Sequence, residues 1–385
     1  MAKRVLILVG IPDFDYTNQH SAVVLFLNQI RLTALENGWV AAFPPQESVP
    51  LNEVNPGKKK SVMKQILRSW KWGYHSLAFY RYKKRQKALL NSLSVLPAYD
   101  CVVEFHTVGS TIGKQLAEKW KANLSIIFDS PVAEQFLEMK KTKSAFWSAI
   151  QQSEYLSMEA ADKIMAYSPA CADYLKERYT LRAEPVILPC VVNKPAPQNG
   201  SSKEPFNILF IGSFLSWHKV DLLVKAFEQL LNEIPNARLQ LIGFGEEWKV
   251  VKKSIADKKL ENQVEMPGFV NEEELLRYKK EATVGIMPGS NWYGSPLKLF
   301  EYAAAGIPFL APKTPTIASI FSEEHCWLID KHDPVTSIYK GLKKMEASAT
   351  LRAKKSQKAQ AFYQEKFAPE IYRKNLHKAL FPEQD

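Results

Sequence analysis

Short apolar runs closed by glycine, proline or a polar loop recur along the chain, and each is followed by a stretch whose apolar positions fall at helical spacing. That alternation predicts buried parallel strands separated by helices. In the first half the runs at 5–9, 40–43, 101–105, 125–128, 163–166 and 185–188 read as strands. The first ends in Gly10 and a polar loop through Asp13, Asp15, Tyr16 and Asn18. A helix follows with Ala22, Leu25, Phe26, Gln29, Ile30 and Leu35 inward, and Gly38 stops it. Further helices are expected over 146–161 and after Ser168-Pro169. From 189 to 205 periodicity gives way to four prolines and Asn199-Gly200-Ser201-Ser202, the composition of a linker. Beyond it, strands at 208–212, 239–243, 264–266, 284–287 and 308–311 alternate with helices. The plainest helix is 220–234, with Leu223, Ala226, Phe227, Leu230 and Ile234 inward. The tail from Leu351 is helical, with Phe362, Phe367, Ile371 and Leu376 on one side. The pattern gives an α/β protein of four parts: a first domain over 1–190, a linker over 191–205, a second domain over 206–350 and closing helices over 351–385.

Composition narrows the class. A chain of 385 residues with 46% hydrophobic and 24% charged residues is that of a two-domain globular protein. Cys101, Cys171, Cys190 and Cys326 are scattered, which speaks against a disulfide framework or a zinc site and for a reducing, cytoplasmic compartment. Net charge is +11, and between Val54 and Tyr99 there is no acid while Lys58, Lys59, Lys60, Lys64, Arg68, Lys71, Arg81, Lys83, Lys84, Arg85 and Lys87 supply eleven cations, as many as the whole net charge. Val62, Met63, Ile66, Leu67 and Trp70 form an apolar stripe beside the cations, and Trp72, Tyr74, Phe79, Tyr80 and Tyr82 add aromatics. Segment 58–87 therefore reads as a basic amphipathic element for an anionic membrane surface, weighed against a solvated helix covering the sheet. It carries no nucleic-acid module.

The chemistry concentrates in Gly289-Ser290-Asn291-Trp292-Tyr293-Gly294-Ser295-Pro296-Leu297-Lys298-Leu299-Phe300-Glu301-Tyr302-Ala303-Ala304-Ala305-Gly306. Ser295 suits an N-cap, Pro296 the first helical position and Gly306 the C-terminal close. Lys298 then lies in the first turn, where a cation opposes the helix dipole. An anion held by the free N–H groups and the ammonium would resolve that conflict, with Gly294 allowing close backbone approach. Glu301, one turn on and roughly 5–6 Å away at Cβ, would reach a hydroxyl at the other end of such a ligand. The bland alternative is an ordinary ion pair between Lys298 and Glu301.

Ser295-Pro296-Leu297-Lys298-Leu299-Phe300-Glu301-Tyr302 followed by Ala303-Ala304-Ala305-Gly306-Ile307-Pro308 resembles the nucleotide-binding signature of the family 4 retaining glycosyltransferases, which have the GT-B fold. The resemblance implies two Rossmann-like domains facing each other across a cleft. It implies that the helix start and Lys298 hold the donor diphosphate and that Glu301 holds the ribose. Tyr293 stands where many members carry a second glutamate, and Pro189-Cys190-Val191-Val192-Asn193 departs from the usual linker start. Gly212-Ser213-Phe214-Leu215-Ser216-Trp217-His218-Lys219 resembles the second phosphate loop, with His218 at the lysine position and Lys219 at the glycine position, either of which is placed to meet the diphosphate. Gly243-Phe244-Gly245 and Gly268-Phe269-Val270 resemble loops that border the base. His106, at the end of strand 101–105, matches a histidine that contacts the donor sugar. Gly10 and Asp129, also at strand ends, fall on the acceptor side, and the last helix is expected to cross back to the first domain.

The expectation that follows is glycosyl transfer from a nucleotide sugar to a saccharide or lipid-linked acceptor, in bacterial-type glycan or glycoconjugate synthesis, with no cofactor and no required metal. His106 and Lys298 are the catalytic candidates. Ser213, His218, Lys219, Gly243, Gly245, Phe269, Gly294, Ser295, Pro296, Leu297, Lys298 and Glu301 are the donor-binding ones. The competing readings are a sugar-nucleotide epimerase or hydrolase on the same fold and a non-catalytic nucleotide-sugar-binding scaffold.

Overall fold

The structure, a computed structural model, describes residues 2–11, 14–15, 22–44, 71–140, 145–189 and 205–380. The polar loop residues Asp13, Tyr16 and Asn18, the basic run 58–70 and nearly all of the 191–205 linker lie outside them.

The first unit strings together β1 (Arg4–Val9), α1 (Ala22–Glu36), β2 (Val40–Ala42), α2 (Lys71–Ser94), β3 (Cys101–Phe105), α3 (Ile112–Trp120), β4 (Asn123–Phe128), α4 (Val132–Lys140), α5 (Ala145–Ala160), β5 (Lys163–Ala166), α6 (Pro169–Arg178) and β6 (Val186–Ile187). Its strands form one parallel sheet in the order β2-β1-β3-β4-β5-β6. Val5, Leu6, Ile7 and Leu8 are fully buried, as a strand covered on both faces requires. In α1 the inner face is Val24, Leu27, Ile30 and Ala34 together with Phe26 and Gln29. Leu35, expected inward, is exposed because it falls one position past that stripe.

The second unit comprises β7 (Asn207–Ile211), α7 (Val220–Leu231), β8 (Arg238–Ile242), α8 (Trp248–Asp257), β9 (Val264–Gly268), α9 (Glu272–Glu281), β10 (Val284–Ile286), α10 (Leu297–Ala304), β11 (Phe309–Pro312), α11 (Pro315–Ala318), β12 (Trp327–Ile329), α12 (Pro334–Glu346), α13 (Ala349–Lys366) and the first turn of α14 (Pro369–Leu380). Its parallel sheet runs β12-β11-β10-β7-β8-β9. β12 is not among the strands expected from the sequence. Leu223, Ala226, Phe227 and Leu230 of α7 are buried in the main cluster of this unit, as their spacing predicts.

The tail divides between the units. α13 packs on α10, with the Phe300 ring 6.0 Å from Tyr363 and 4.8 Å from Phe367, and Gln360 donates to the Ala304 carbonyl. The second unit therefore extends to Tyr372, and only the chain from Arg373 groups with the first unit, where Lys163 Nζ meets the Leu380 carbonyl and Arg373 approaches Glu36. The expected boundary at 350 falls within this continuous packing.

One side chain ties α10 to the sheet. β7 and β10 pair only through Ile208–Val284 and Leu209–Gly285, whereas β7 stays paired with β8 as far as Ile211. Where β10 leaves, the Tyr302 hydroxyl donates to the Leu209 carbonyl at 3.0 Å and accepts from Ile211 N at 3.2 Å. Its ring covers Gly285, where a Cβ would lie 2.7 Å from ring carbon. Tyr302→Phe would strip both buried backbone groups of a partner, and a loss of about 1–3 kcal/mol in the stability of the second unit is expected from urea unfolding.

Candidate functional site

The loops after β7 and β10 leave the sheet at its topological switch point, since β7 has β8 on one side and β10 on the other. Open α/β sheets bind ligands in such crevices. The β7 loop is packed backbone against backbone. Gly212 has φ +148° and its N–H donates to the Ile242 carbonyl, while a Cβ on Gly243, at φ +125°, would lie 2.0 Å from the Gly212 carbonyl oxygen. A Cβ on Gly245 would likewise collide with the backbone of Phe214, at 2.6 Å. Gly243 and Gly245, expected beside a base, are thus required first for this loop-on-loop packing. Phe244 is half-exposed and Phe269 is 83% exposed, with ring centroids 6.2 Å apart and Trp248 behind Phe244.

α10 begins one residue later than the sequence suggests. Pro296, not Ser295, is its N-cap, because Pro296 has ψ +30° and its carbonyl receives the N–H groups of Leu299 and Phe300. Gly306 closes the helix as expected: at φ +64° it donates to Ala303, and Ile307 donates to Tyr302. The Gly294 N–H bonds the Asn291 carbonyl, and its missing Cβ makes room for Ser290 Oγ. Tyr293 is buried and accepts from Asn291 Nδ2 at 2.7 Å.

Lys298 and Glu301 do not pair with each other. Lys298 Nζ lies 3.0 Å from His218 Nε2, and its stem fills the space beside Gly212, where a Cβ would come within 2.0 Å of Lys298 Cε. Burial lowers the Lys298 ammonium to about 8, with the Glu301 charge acting the other way. His218 is buried on a 3-10 turn, Ser216–His218, with Nδ1 2.5 Å from the Ser213 carbonyl oxygen. Burial and the neighbouring Lys298 charge push its imidazole down to about 4, so the ring is neutral. Both ring nitrogens are engaged inside the unit, and the ring has no N–H left for an anion. Lys219 is exposed at φ +53°, its stem against Gly289, and of the pair it alone offers an unengaged cation. Glu301 Oε2 pairs with Lys279 Nζ of α9 at 2.8 Å.

In the first unit the strand ends also carry polar groups. Gly10 follows β1, and its carbonyl accepts from Gln86 Nε2 of α2 at 3.0 Å. A Cβ there would collide with Ser110 Oγ and Glu104 Oε1. Glu104, fully buried in β3, accepts from Ser110 Oγ and Gly113 N, and burial raises its carboxyl. His106 is buried at the end of β3, stacked on Phe128, with Nε2 3.5 Å from Glu154 Oε2 of α5. Glu154 also accepts from Tyr179 OH and Ala133 N. Asp129, after β4, accepts from Ser130 Oγ, and burial pushes its carboxyl up to about 6 against the opposing pull of Ser130 and His106. His106, expected to contact the donor sugar, is an interior group in this structure, beside a glutamate that nothing in the sequence marks.

Residues 193–362 match the family model described as glycosyl transferases group 1. That match lies within the second unit. The chain is 30% identical over 120 residues to the poly(glycerol-phosphate) alpha-glucosyltransferase of Bacillus subtilis, covering 31% of this chain and 16% of that protein. It spans between 16% and 53% of the lengths of the curated relatives it matches. Among solved structures, WaaG, a glycosyltransferase involved in lipopolysaccharide biosynthesis, superposes with a TM-score of 0.71 at 14% identity over 98% of this chain and all of that one. Anabaena HepE in complex with UDP and glucose gives 0.70 at 12% identity, over 98% and 99%. Two six-stranded parallel-sheet units with this coverage give the chain the GT-B fold.

Every donor-side candidate falls inside residues 193–362, the stretch that the family model matches. The structure gathers Ser213, His218 and Lys298 into one hydrogen-bonded chain and sets Phe269 beside Phe244. Sequence reasoning missed Lys279 as the partner of Glu301, because Lys279-Lys280 in the last turn of α9 reads as an ordinary complement to that helix's dipole. A direct check on the site is the Lys298 titration. In a lysine-labelled NMR titration, the Cε signal lost in Lys298→Arg should have its midpoint near pH 8. The unfolded chain keeps that proton to the usual lysine value of 10.5, so the contribution of this group to stability should rise with pH between the two values.

Proposed function

We propose that the protein is a retaining glycosyltransferase that moves a sugar from a nucleotide sugar to a saccharide or lipid-linked acceptor in bacterial-type glycan synthesis. The observation that carries this is the Lys298 ammonium held at the start of α10, at the switch point of the sheet, with Glu301 one turn further on. That arrangement suits a nucleoside diphosphate: Lys298 and the N–H groups of the first turn receive the phosphates, and Glu301, braced by Lys279, takes the ribose hydroxyls. Phe269, backed by Phe244, offers an exposed aromatic face to the base. HepE, of similar fold, has been crystallised with UDP and glucose, which favours UDP as the first ligand to try.

In the reaction the bond from the anomeric carbon to the β-phosphate oxygen breaks, and one from that carbon to the acceptor oxygen forms on the same face. The acceptor proton passes to the leaving phosphate. Charge growing on that phosphate meets donors already in place, and such preorganised stabilisation is worth several kcal/mol in a site screened from water. Retention rests on the family resemblance. Asp129 and Gly10 are assigned to the acceptor side, and His106, with Glu154 3.5 Å from its Nε2, to the transferred sugar. Lys298→Ala and Glu301→Ala should each weaken UDP binding by about 1.5–3 kcal/mol with the fold intact. Calorimetry that finds either variant as tight as the parent would remove the donor-site assignment.

The lipid-linked form of the acceptor is favoured by α2. Tyr80, Arg81, Lys84 and Lys87 lie on its exposed face, while Gln86 and Lys83 hold the carbonyls of Gly10 and Gly109 on the other. Among the described residues no helix is long and apolar enough to cross a membrane, so contact would be peripheral. Each cation near an anionic surface contributes roughly 1 kcal/mol. The full chain should co-sediment with vesicles containing anionic lipid, less so as salt rises, and less again in the triple variant Arg81→Glu, Lys84→Glu, Lys87→Glu. Equal absence from anionic and neutral vesicles at low salt would leave a soluble saccharide as the acceptor.

A further inference from the structure

His218 is fixed by two bonds whose directions agree. The Ser213 carbonyl can only accept, so the imidazole proton sits on Nδ1. Nε2 then carries a lone pair and faces Lys298 Nζ at 3.0 Å, a group that as an ammonium can only donate. The reverse tautomer would set Nε2–H against an ammonium and leave Nδ1 without a proton for the carbonyl. A doubly protonated ring would place two cations 3.0 Å apart in a buried position. Only the Nδ1–H ring satisfies both contacts.

The surroundings hold the pair in that arrangement. Phe210 lies under both, its ring 6.3 Å from the His218 ring in an edge-on contact and 5.8 Å from Lys298 Nζ. Gly212 provides the wall along the Lys298 stem, since no other residue type leaves room for Lys298 Cε there. The ammonium thus sits in a slot with an aromatic floor, a glycine wall and an imidazole acceptor at its end. Without that acceptor, the start of α10 would repel it towards water.

We propose that His218 is a positioning residue for Lys298: its Nε2 lone pair fixes the ammonium at the start of α10, ready for a phosphate oxygen, and His218 itself does not touch the phosphate. The inference rests on the donor-site reading only for the identity of the anion. It predicts that His218 acts on binding through Lys298 and through nothing else.

The test is a double-mutant cycle read by calorimetry with UDP, joined to a ligand-free NMR measurement. His218→Phe removes the acceptor and should weaken UDP binding about tenfold, the effect of one charge-assisted hydrogen bond. His218→Gln, whose amide oxygen reaches the Nε2 position, should restore most of the affinity. In a Lys298→Ala background, His218→Phe should have no further effect. Additive losses in the cycle would mean direct contact with the phosphate or a general structural role, and either overturns the proposal. The ¹⁵N spectrum of the wild-type protein at pH 7 should show the His218 ring as the neutral Nδ1–H tautomer, and an Nε2–H or charged ring would refute it without any ligand. If wild type binds neither UDP nor another nucleoside diphosphate, the donor-site reading fails. The tautomer then still decides whether His218 holds Lys298.

Discussion

The Tyr302 hydroxyl stands in for a strand. A crevice at the switch point exists only because β10 and β7 part after Leu209 and Gly285, and parting strands leave buried N–H and C=O groups that each cost about 1–3 kcal/mol if unmet. Tyr302 meets one of each on β7 with a single hydroxyl, and its ring takes the space that the bare Gly285 backbone leaves open. Because Tyr302 is rooted in α10, the bond that seals the crevice also sets the position of the helix. Lys298 is one turn back on that helix and Glu301 is the preceding residue. Fold and site are therefore one constraint, and a change at Gly285 or Tyr302 would move the cation together with the sheet edge.

The electrostatics of Lys298 follow from that placement. Burial and the positive end of α10 both disfavour its charge, and Glu301 alone among the named carboxylates favours it. A stability-minded sequence would place a carboxylate or a neutral residue here. Keeping a cation where two terms oppose it makes sense if a third, an anion, arrives later, and perturbed groups of this kind gather at functional sites. Glu301 is treated differently: its Oε2 is neutralised by Lys279 from α9, which frees Lys298 from an i,i+3 pairing that would pull the ammonium away from the helix start.

Much of this was legible in the residues and some was not, for physical reasons. The apolar runs located β1, β3, β5 and β7 to β11 to within a residue or two, because a strand buried on both faces leaves an unbroken apolar signature. β12 escaped, and Leu35 was misplaced by one position on a helix whose stripe drifts with the 3.6-residue turn. The Pro296-Leu297-Lys298 start was visible as a helix N-terminus but not to the residue, because Ser and Pro each suit two adjacent cap positions. Spacing could pair Lys298 with Glu301, since both lie on one helix. It could not find His218 or Lys279, which reach the site from other elements and become neighbours only through the sheet order.

The first unit applies the same economy to a different task. Its strand ends bury Glu104 and Asp129 around His106, α5 adds Glu154, and burial raises the carboxyls of Glu104 and Asp129. Such groups persist only where hydrogen bonds hold them, and Ser110, Gly113, Ser130, Tyr179 and Ala133 supply those bonds. The same loops are gripped from outside by α2, whose Gln86 and Lys83 take the carbonyls of Gly10 and Gly109. Lys83 is bent inward to do so, and burial lowers its ammonium, while Arg81, Lys84 and Lys87 on the same helix stay in solvent. Residues 81–87 of α2 therefore have two faces. One inward cation, Lys83, holds the loop at Gly109 while Gln86 holds the loop at Gly10, and the outward cations Arg81, Lys84 and Lys87 keep their charge in solvent, as the proposed membrane contact requires.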